Sequence, residues 1–169
     1  MKALPFIAVL VPALALAQST TTPAPAAAPA ADAASMPHAM DKAAETKWGD
    51  APAALPKGAQ AVVLYGDPAM AGPIALRLKT PPGYRIPRHW HPTDEQVTVI
   101  EGDLTLAMDQ DAKAHSATFG AGDYVNLPAN MQHEASTKGG AVVQINAMGP
   151  FEINYVDPKD DPRKAKPAK

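Results

Sequence analysis

The chain has 169 residues, room for one ordinary domain or two at most, and is 46% hydrophobic and 19% charged, with 19 Pro, 11 Gly and no Cys. Fifteen basic side chains stand against 17 acidic ones, a net charge of −2, which gives no general attraction to nucleic acid or to an anionic membrane. Without cysteine there are no disulfides, thiolate metal sites or cysteine nucleophiles, so any metal here is held by nitrogen and oxygen.

Lys2 precedes an apolar run from Ala3 to Ala17 that ends in Ala15-Leu16-Ala17 before Gln18. A charged start, a short apolar stretch and small residues two apart predict a signal peptide over 1–17, cleaved after Ala17. A membrane anchor fits less well: the run is short of the roughly 20 apolar residues that a spanning helix needs, and it carries Pro5 and Pro12. No Cys follows the cleavage point to take a lipid. The mature protein is therefore expected to be exported, periplasmic or secreted, with no membrane attachment, and loss of Lys2 moves the net charge from −2 to −3.

Residues 18–45 are built from Ala, Pro, Ser and Thr, a composition that favours extended, solvated backbone and predicts a disordered linker. His38, with Met36 and Met40 nearby, falls in this stretch and is read as incidental rather than as a copper site. Residues 161–169 read as a Lys/Pro-rich solvated tail. Between them, 46–160 form one domain that can bury about two thirds of its unfolded surface. One helical turn is allowed over 42–48.

From there the periodicity is two. Ile74, Leu76 and Leu78 alternate with Ala75, Arg77 and Lys79; Val97 and Val99 with Gln96 and Thr98; Leu104, Leu106 and Met108 with Asp103, Thr105 and Ala107. Further runs are 61–65, 114–119, 123–127, 133–137, 141–146 and 151–156, with turns expected at Gly102-Asp103, Gly120–Gly122 and Lys138-Gly139-Gly140. Nine or so short strands without a convincing helix predict an all-β sandwich or barrel.

Three of the five histidines are His89, His91 and His133. Residues two apart on a strand share a face, so the imidazoles of His89 and His91 can converge on one ion. Glu95 follows after the Pro92-Thr93-Asp94 bend, and Asp94 competes with it for an inward role. Gly83 leads by five residues to His89, one to His91, three to Glu95 and six to Gly102. Gly122 leads by five to Pro128, one to Asn130 and two to His133, and 19 residues separate Gly102 from Gly122.

These two spacings resemble the paired motifs of the cupin superfamily. The resemblance implies a cupin double-stranded β-helix, a jelly-roll barrel, with His89, His91, Glu95 and His133 as metal ligands. It also favours Glu95 over Asp94. Asn130 stands where the family often has Gly, and Asn tolerates the positive φ that such a turn uses. Thr137 stands where Asn is frequent, at a position that is not a ligand. Trp48, Gly149-Pro150 and the Asp160-to-Arg163 segment resemble a group of exported cupins of uncharacterised activity.

Independently of that resemblance, three neutral imidazoles and one carboxylate suit Mn, Fe, Co, Ni, Cu or Zn and suit Ca or Mg poorly. One divalent transition metal is the expected cofactor. Four protein ligands leave two of six octahedral positions open, and a dication with one carboxylate carries a net +1 that favours an anionic ligand. A polar core without metal is the alternative. His115 is expected to be exposed. Tyr84, Trp90, Tyr124, Met131, Gln144 and Asn146 are candidates for pocket lining, most of them by default core or surface. Gln144 or Asn146 can also hydrogen-bond a ligand imidazole. Arg77 and Arg85 are candidate carboxylate clamps and by default surface charges.

The expected function is a metal-dependent enzyme acting on a small oxygen-bearing substrate, with Glu95 as ligand and base in turn. Resembling cupins include dioxygenases, isomerases and decarboxylases. The alternative is a non-catalytic metal- or ligand-binding module, a sensor or scavenger. The expected partners are a small-molecule ligand and a second copy in a homodimer, since an open jelly roll has edges to cover, such as the strand over 61–65.

Overall fold

The period-two stretches form strands because alternate side chains of an extended chain face the same side. The computed structural model describes residues 39–108 and 116–164. The expected leader, the linker through His38, His115 and the tail from residue 165 lie outside the described residues. A 3₁₀ turn at Ala43–Glu45 occupies the stretch where one helical turn was allowed.

The strands are β1 (Gly49–Asp50), β2 (Gln60–Tyr65), β3 (Gly72–Thr80), β4 (Arg85–Trp90), β5 (Glu95–Met108), β6 (Ser116–Gly120), β7 (Tyr124–Leu127), β8 (His133–Ser136), β9 (Ala141–Gly149) and β10 (Asn154–Tyr155). All pair antiparallel, in the order β1-β2-β3-β9-β5-β8-β4-β10, with β6 and β7 also on β5. The sheet curls into the all-β jelly roll expected, and its inner face carries the core of Leu78, Ile86, Val97, Val99, Leu104, Leu106, Leu127, Val143 and Ile145. Beyond Ala61 the outer edge of β2 has no strand partner among the described residues, and Val63 and Tyr65 are exposed there.

Two expected turns or strands differ. Gly102 does not end a strand but lies inside the 14-residue β5. Residues on its N-terminal side pair with β7 and β9, those on its C-terminal side with β6 and β8, so β5 passes from one face of the barrel to the other here. A register shift between Val99 and Glu101 and a φ of +77° at Gly102 make that passage. A Cβ at Gly102 would also collide with the Gly140 carbonyl. The 151–156 run yields only the two residues of β10, because the backbone before it has other partners: Phe151 N–H donates to Pro68 O and Glu152 O receives a histidine.

Asp161 to Lys164, read from composition as the start of a solvated tail, pack on the domain. Asp161 is buried and accepts from the backbone N–H of Arg163 and from its Nε and Nη2. Arg163 Nη2 also donates to Ile153 O. The local Asp–Arg pairing, two residues apart, is what a composition-based reading overlooks.

Strain at Gly102 gives a direct test. Gly102→Ala is expected to lower unfolding stability by about 3 kcal/mol, at the upper end of the range for a non-glycine residue held at positive φ. Gly83, at φ +73° with open space around its missing Cβ, isolates the dihedral term, and Gly83→Ala should lose only about 1 kcal/mol. Urea denaturation compares the two, and equal losses would contradict the close approach at Gly102.

Candidate metal centre

Ile86 and His89 are three apart on β4, a spacing that puts side chains on opposite faces of a regular strand. The pairing of β4 with β8 shifts register between them, and Pro87, which has no N–H to give a ladder, sits in the shift. Both side chains therefore point inward, and His89 is only 2% exposed. His91 follows just past the strand end, also buried. His133, the first residue of β8, lies directly opposite His89, and Glu95 opens β5. Asp94 points away, accepting the Ala129 N–H at 2.8 Å, so of the two acids only Glu95 enters the interior.

The second motif is tied to the first through its turn. Asn130 has φ +64°, the one positive φ among the described non-glycine residues, and its N–H donates to His91 O at 2.8 Å. This is the conformation expected for a residue standing in place of glycine. Thr137, the other departure, is buried and accepts the Gly140 N–H through Oγ1, a turn contact remote from the ligand set.

Each imidazole spends one nitrogen on the backbone. The Nδ1–H of His89 donates to Pro87 O at 2.7 Å, that of His91 to Glu152 O at 2.6 Å and that of His133 to Met131 O at 3.1 Å. Carbonyl acceptors require the proton on Nδ1, which leaves each Nε2 with a free lone pair. One ligand nitrogen from each ring lies within 4.8 Å of the others. Glu95 Oε2 stands 3.4 Å from the Nε2 of both His91 and His133. The Nε2 of His91 is buried without a hydrogen-bond partner, an arrangement that burial penalises unless something else takes up its lone pair. Gln144 accepts from Arg77 Nε and donates to Asn146 Oδ1, and neither amide bonds to a ligand imidazole.

Burial keeps the rings of His89 and His91 neutral. Burial, then the neighbouring His133 and His91, pushes the His89 imidazole down to about 3, and burial lowers His91 as well. Burial pushes the Glu95 carboxyl up, but the His133 ring beside it and the other two imidazoles outweigh this and hold it below the ordinary value. Neutral His89 and His91 beside an ionised Glu95 are the protonation states that a divalent ion requires. The donor set thus fits a transition-metal dication, and fits the hard, oxygen-seeking cations poorly.

A cavity of about 440 Å³ opens onto His89, His91 and Glu95 between the β2–β3 wall and the 151–154 segment. A smaller one of about 50 Å³ lies on the inner side of His89, Glu95 and His133. Of the expected pocket residues, Tyr84 lines the inner cavity and donates to Pro56 O, whereas Trp90, Tyr124, Met131, Gln144 and Asn146 line neither. Arg85 forms a two-pronged pair with Glu134, and Arg77 binds Asp41 and Gln144, so neither reaches the site. The walls come instead from Leu55, Val63, Leu76 and Phe151, whose ring lies 4.5 Å from that of His91 and nearly parallel at 8°. No spacing signals these residues, since they converge from separate elements.

A curled antiparallel jelly roll whose strands bring three histidines and a glutamate together inside one end defines a cupin-type barrel. The chain carries a cupin domain of the type-2-like class: residues 76–147 match the cupin domain family, Cupin_2. Among solved structures it is similar to the polyketide cyclase RemF from Streptomyces resistomycificus, at 18% identity and a TM-score of 0.59 over 73% of this chain and 89% of that one. It is also similar to a cupin 2 domain-containing protein from Halorhodospira halophila (18%, 0.51, 66% and 86%). A third is Bacillus subtilis oxalate decarboxylase, described for its Mn(II) centres, at 20% identity and 0.50 over 64% of this chain and 30% of that one. At these identities the likeness carries the fold alone. No curated protein sequence matches the chain.

Proposed function

We propose that His89, His91, His133 and Glu95 hold one divalent transition metal and that the domain is an exported metal-dependent enzyme for a small oxygen-bearing substrate. The observation that carries this reading is the trio of imidazoles pinned through Nδ1, with one nitrogen of each ring within 4.8 Å of the others and the Nε2 of His91 buried without a partner. When bound, such an ion polarises an oxygen of the substrate as a Lewis acid. The chain's own part is to orient and to move a proton. The three Nδ1–H···O=C bonds fix the rings, the jelly-roll walls exclude water from behind, and the carboxylate of Glu95, facing both cavities, is the group positioned to accept a proton from substrate at Oε2. A module that binds without turnover is the second reading. It is favoured by Arg163, the cation lining the outer cavity, having its charge already balanced by Asp161 and its Nη2 also held by Ile153 O.

Two measurements address this. Four side chains leave two positions of an octahedral ion replaceable, so oxalate titrated into cobalt-substituted protein should change its visible spectrum with a saturable, one-to-one stoichiometry. A spectrum indifferent to oxalate would mean a closed site and defeat the enzyme reading. Export is tested by the N-terminal sequence of secreted or periplasmic material, which should begin at Gln18. A membrane-bound product that retains Lys2 would refute the leader.

A further inference from the structure

We propose that the outer cavity selects a molecule with an apolar, ring-sized body that offers one monoanionic oxygen donor pair, phenolic or enolic, and carries no second charged group. This rests on the metal-binding reading above and adds the substrate class to it.

The first argument is the distribution of polarity along the cavity. Its volume of about 440 Å³ is that of a small-ligand pocket. Leu55, Ala61, Val63, Leu76 and Phe151 form most of its walls, His89, His91 and Glu95 form one end, and Glu152, Asn154 and Arg163 lie along the remaining side, where Glu152 disfavours a second anionic group. A sugar, with hydroxyls on every side, would turn several of them onto the apolar walls, where they lose hydration without a replacement hydrogen bond. An apolar body is favoured by the surface it removes from water. Phe151, stacked on the His91 ring, carries the apolar lining right up to the donor end.

The second argument is charge. A dication on Glu95 leaves +1, and one enolate or phenolate oxygen brings the buried site to zero. A dianion would take it to −1, which a small, still hydrated probe such as oxalate tolerates but a guest sealed against the apolar walls does not, and a carboxylate further along the guest would need a cation there. Arg163 is spoken for by Asp161 and the Ile153 carbonyl. Arg77 and Arg85 are paired on the outside of the barrel with Asp41 and Glu134.

The test holds the donor pair constant and changes the body. Catechol, 2,3-dihydroxynaphthalene and 3,4-dihydroxybenzoate are titrated anaerobically into the cobalt-loaded full-length protein, read by calorimetry and by the cobalt spectrum. The second ring should tighten binding about tenfold over catechol, and the added carboxylate should weaken it about tenfold. Leu55→Lys should abolish the advantage of the second ring while leaving cobalt content at one per chain; Leu76→Gln serves the same purpose should the first variant not fold. Equal affinities for the three ligands, or preference for the benzoate, would overturn the substrate class while a normal cobalt content and an oxalate response left the metal reading standing. Cobalt content independent of the histidines would overturn both.

Discussion

Replacing any one of His89, His91 and His133 by Ala is expected to strip the purified protein of its metal. In the proposed centre the three rings would share one ion, and each ring is held by its own carbonyl, so no neighbour can swing in to replace a lost donor. Changes to groups that merely orient a ligand lower metal affinity by about 10- to 100-fold, and loss of a ligand itself is expected to exceed 100-fold. Glu95→Gln keeps an oxygen in place but removes the one negative donor, so it should weaken binding while retaining part of the metal. His38→Ala and His115→Ala should leave stoichiometry unchanged. Elemental analysis of protein purified without added histidines decides the set. Metal content that survives any of the three histidine replacements would remove that residue from it.

Acid is expected to destabilise the metal-free protein from near pH 6.5 downward. His89 resists protonation until about pH 3 because it is buried and flanked by His133 and His91, whereas an unfolded chain takes up that proton at the ordinary value of 6.5. The unfolded state therefore binds more protons through this window, and stability falls as pH falls, by about 1.4 kcal/mol per pH unit for one proton. His91, lowered by its burial, acts in the same direction. So does Glu95: with its carboxyl below the ordinary 4.5, its contribution is present above that value and lost as pH drops through the folded-state value. Bound metal competes with these same protons. At a free concentration 1,000 times its dissociation constant it adds about 4 kcal/mol near neutrality, and that increment should vanish in acid. Thermal unfolding at several pH values between 7.5 and 4, with and without metal, reads both effects. A midpoint that stays flat for the metal-free protein across this range would contradict the buried, neutral histidines.

The strands were legible because period-two patterning follows directly from the geometry of an extended chain, as in Ile74, Leu76 and Leu78 on β3. Strand β4 was not among the runs so recognised. Arg85-Ile86-Pro87-Arg88-His89-Trp90 shows no alternation, because the bulge at Pro87 changes its phase midway. Gly102 illustrates the opposite error. A glycine beside an aspartate reads as a turn, yet here it carries one continuous strand past the Gly140 carbonyl. The polar residues of the site were visible through their spacing, and the Asp94/Glu95 ambiguity closes on a single hydrogen bond to Ala129. The apolar walls were not visible: Leu55, Val63 and Phe151 acquire meaning only when the barrel closes, and Phe151 meets His91 across 59 intervening residues.

The central claim is that one ion sits among these side chains. X-ray diffraction from crystals of metal-loaded protein, collected on both sides of the metal's absorption edge, tests it most directly. The account predicts a single anomalous peak about 2.1 Å from the Nε2 atoms of His89, His91 and His133, with a Glu95 oxygen also in contact. No peak at this position in protein that retains stoichiometric metal, or a peak elsewhere on the chain, would contradict it.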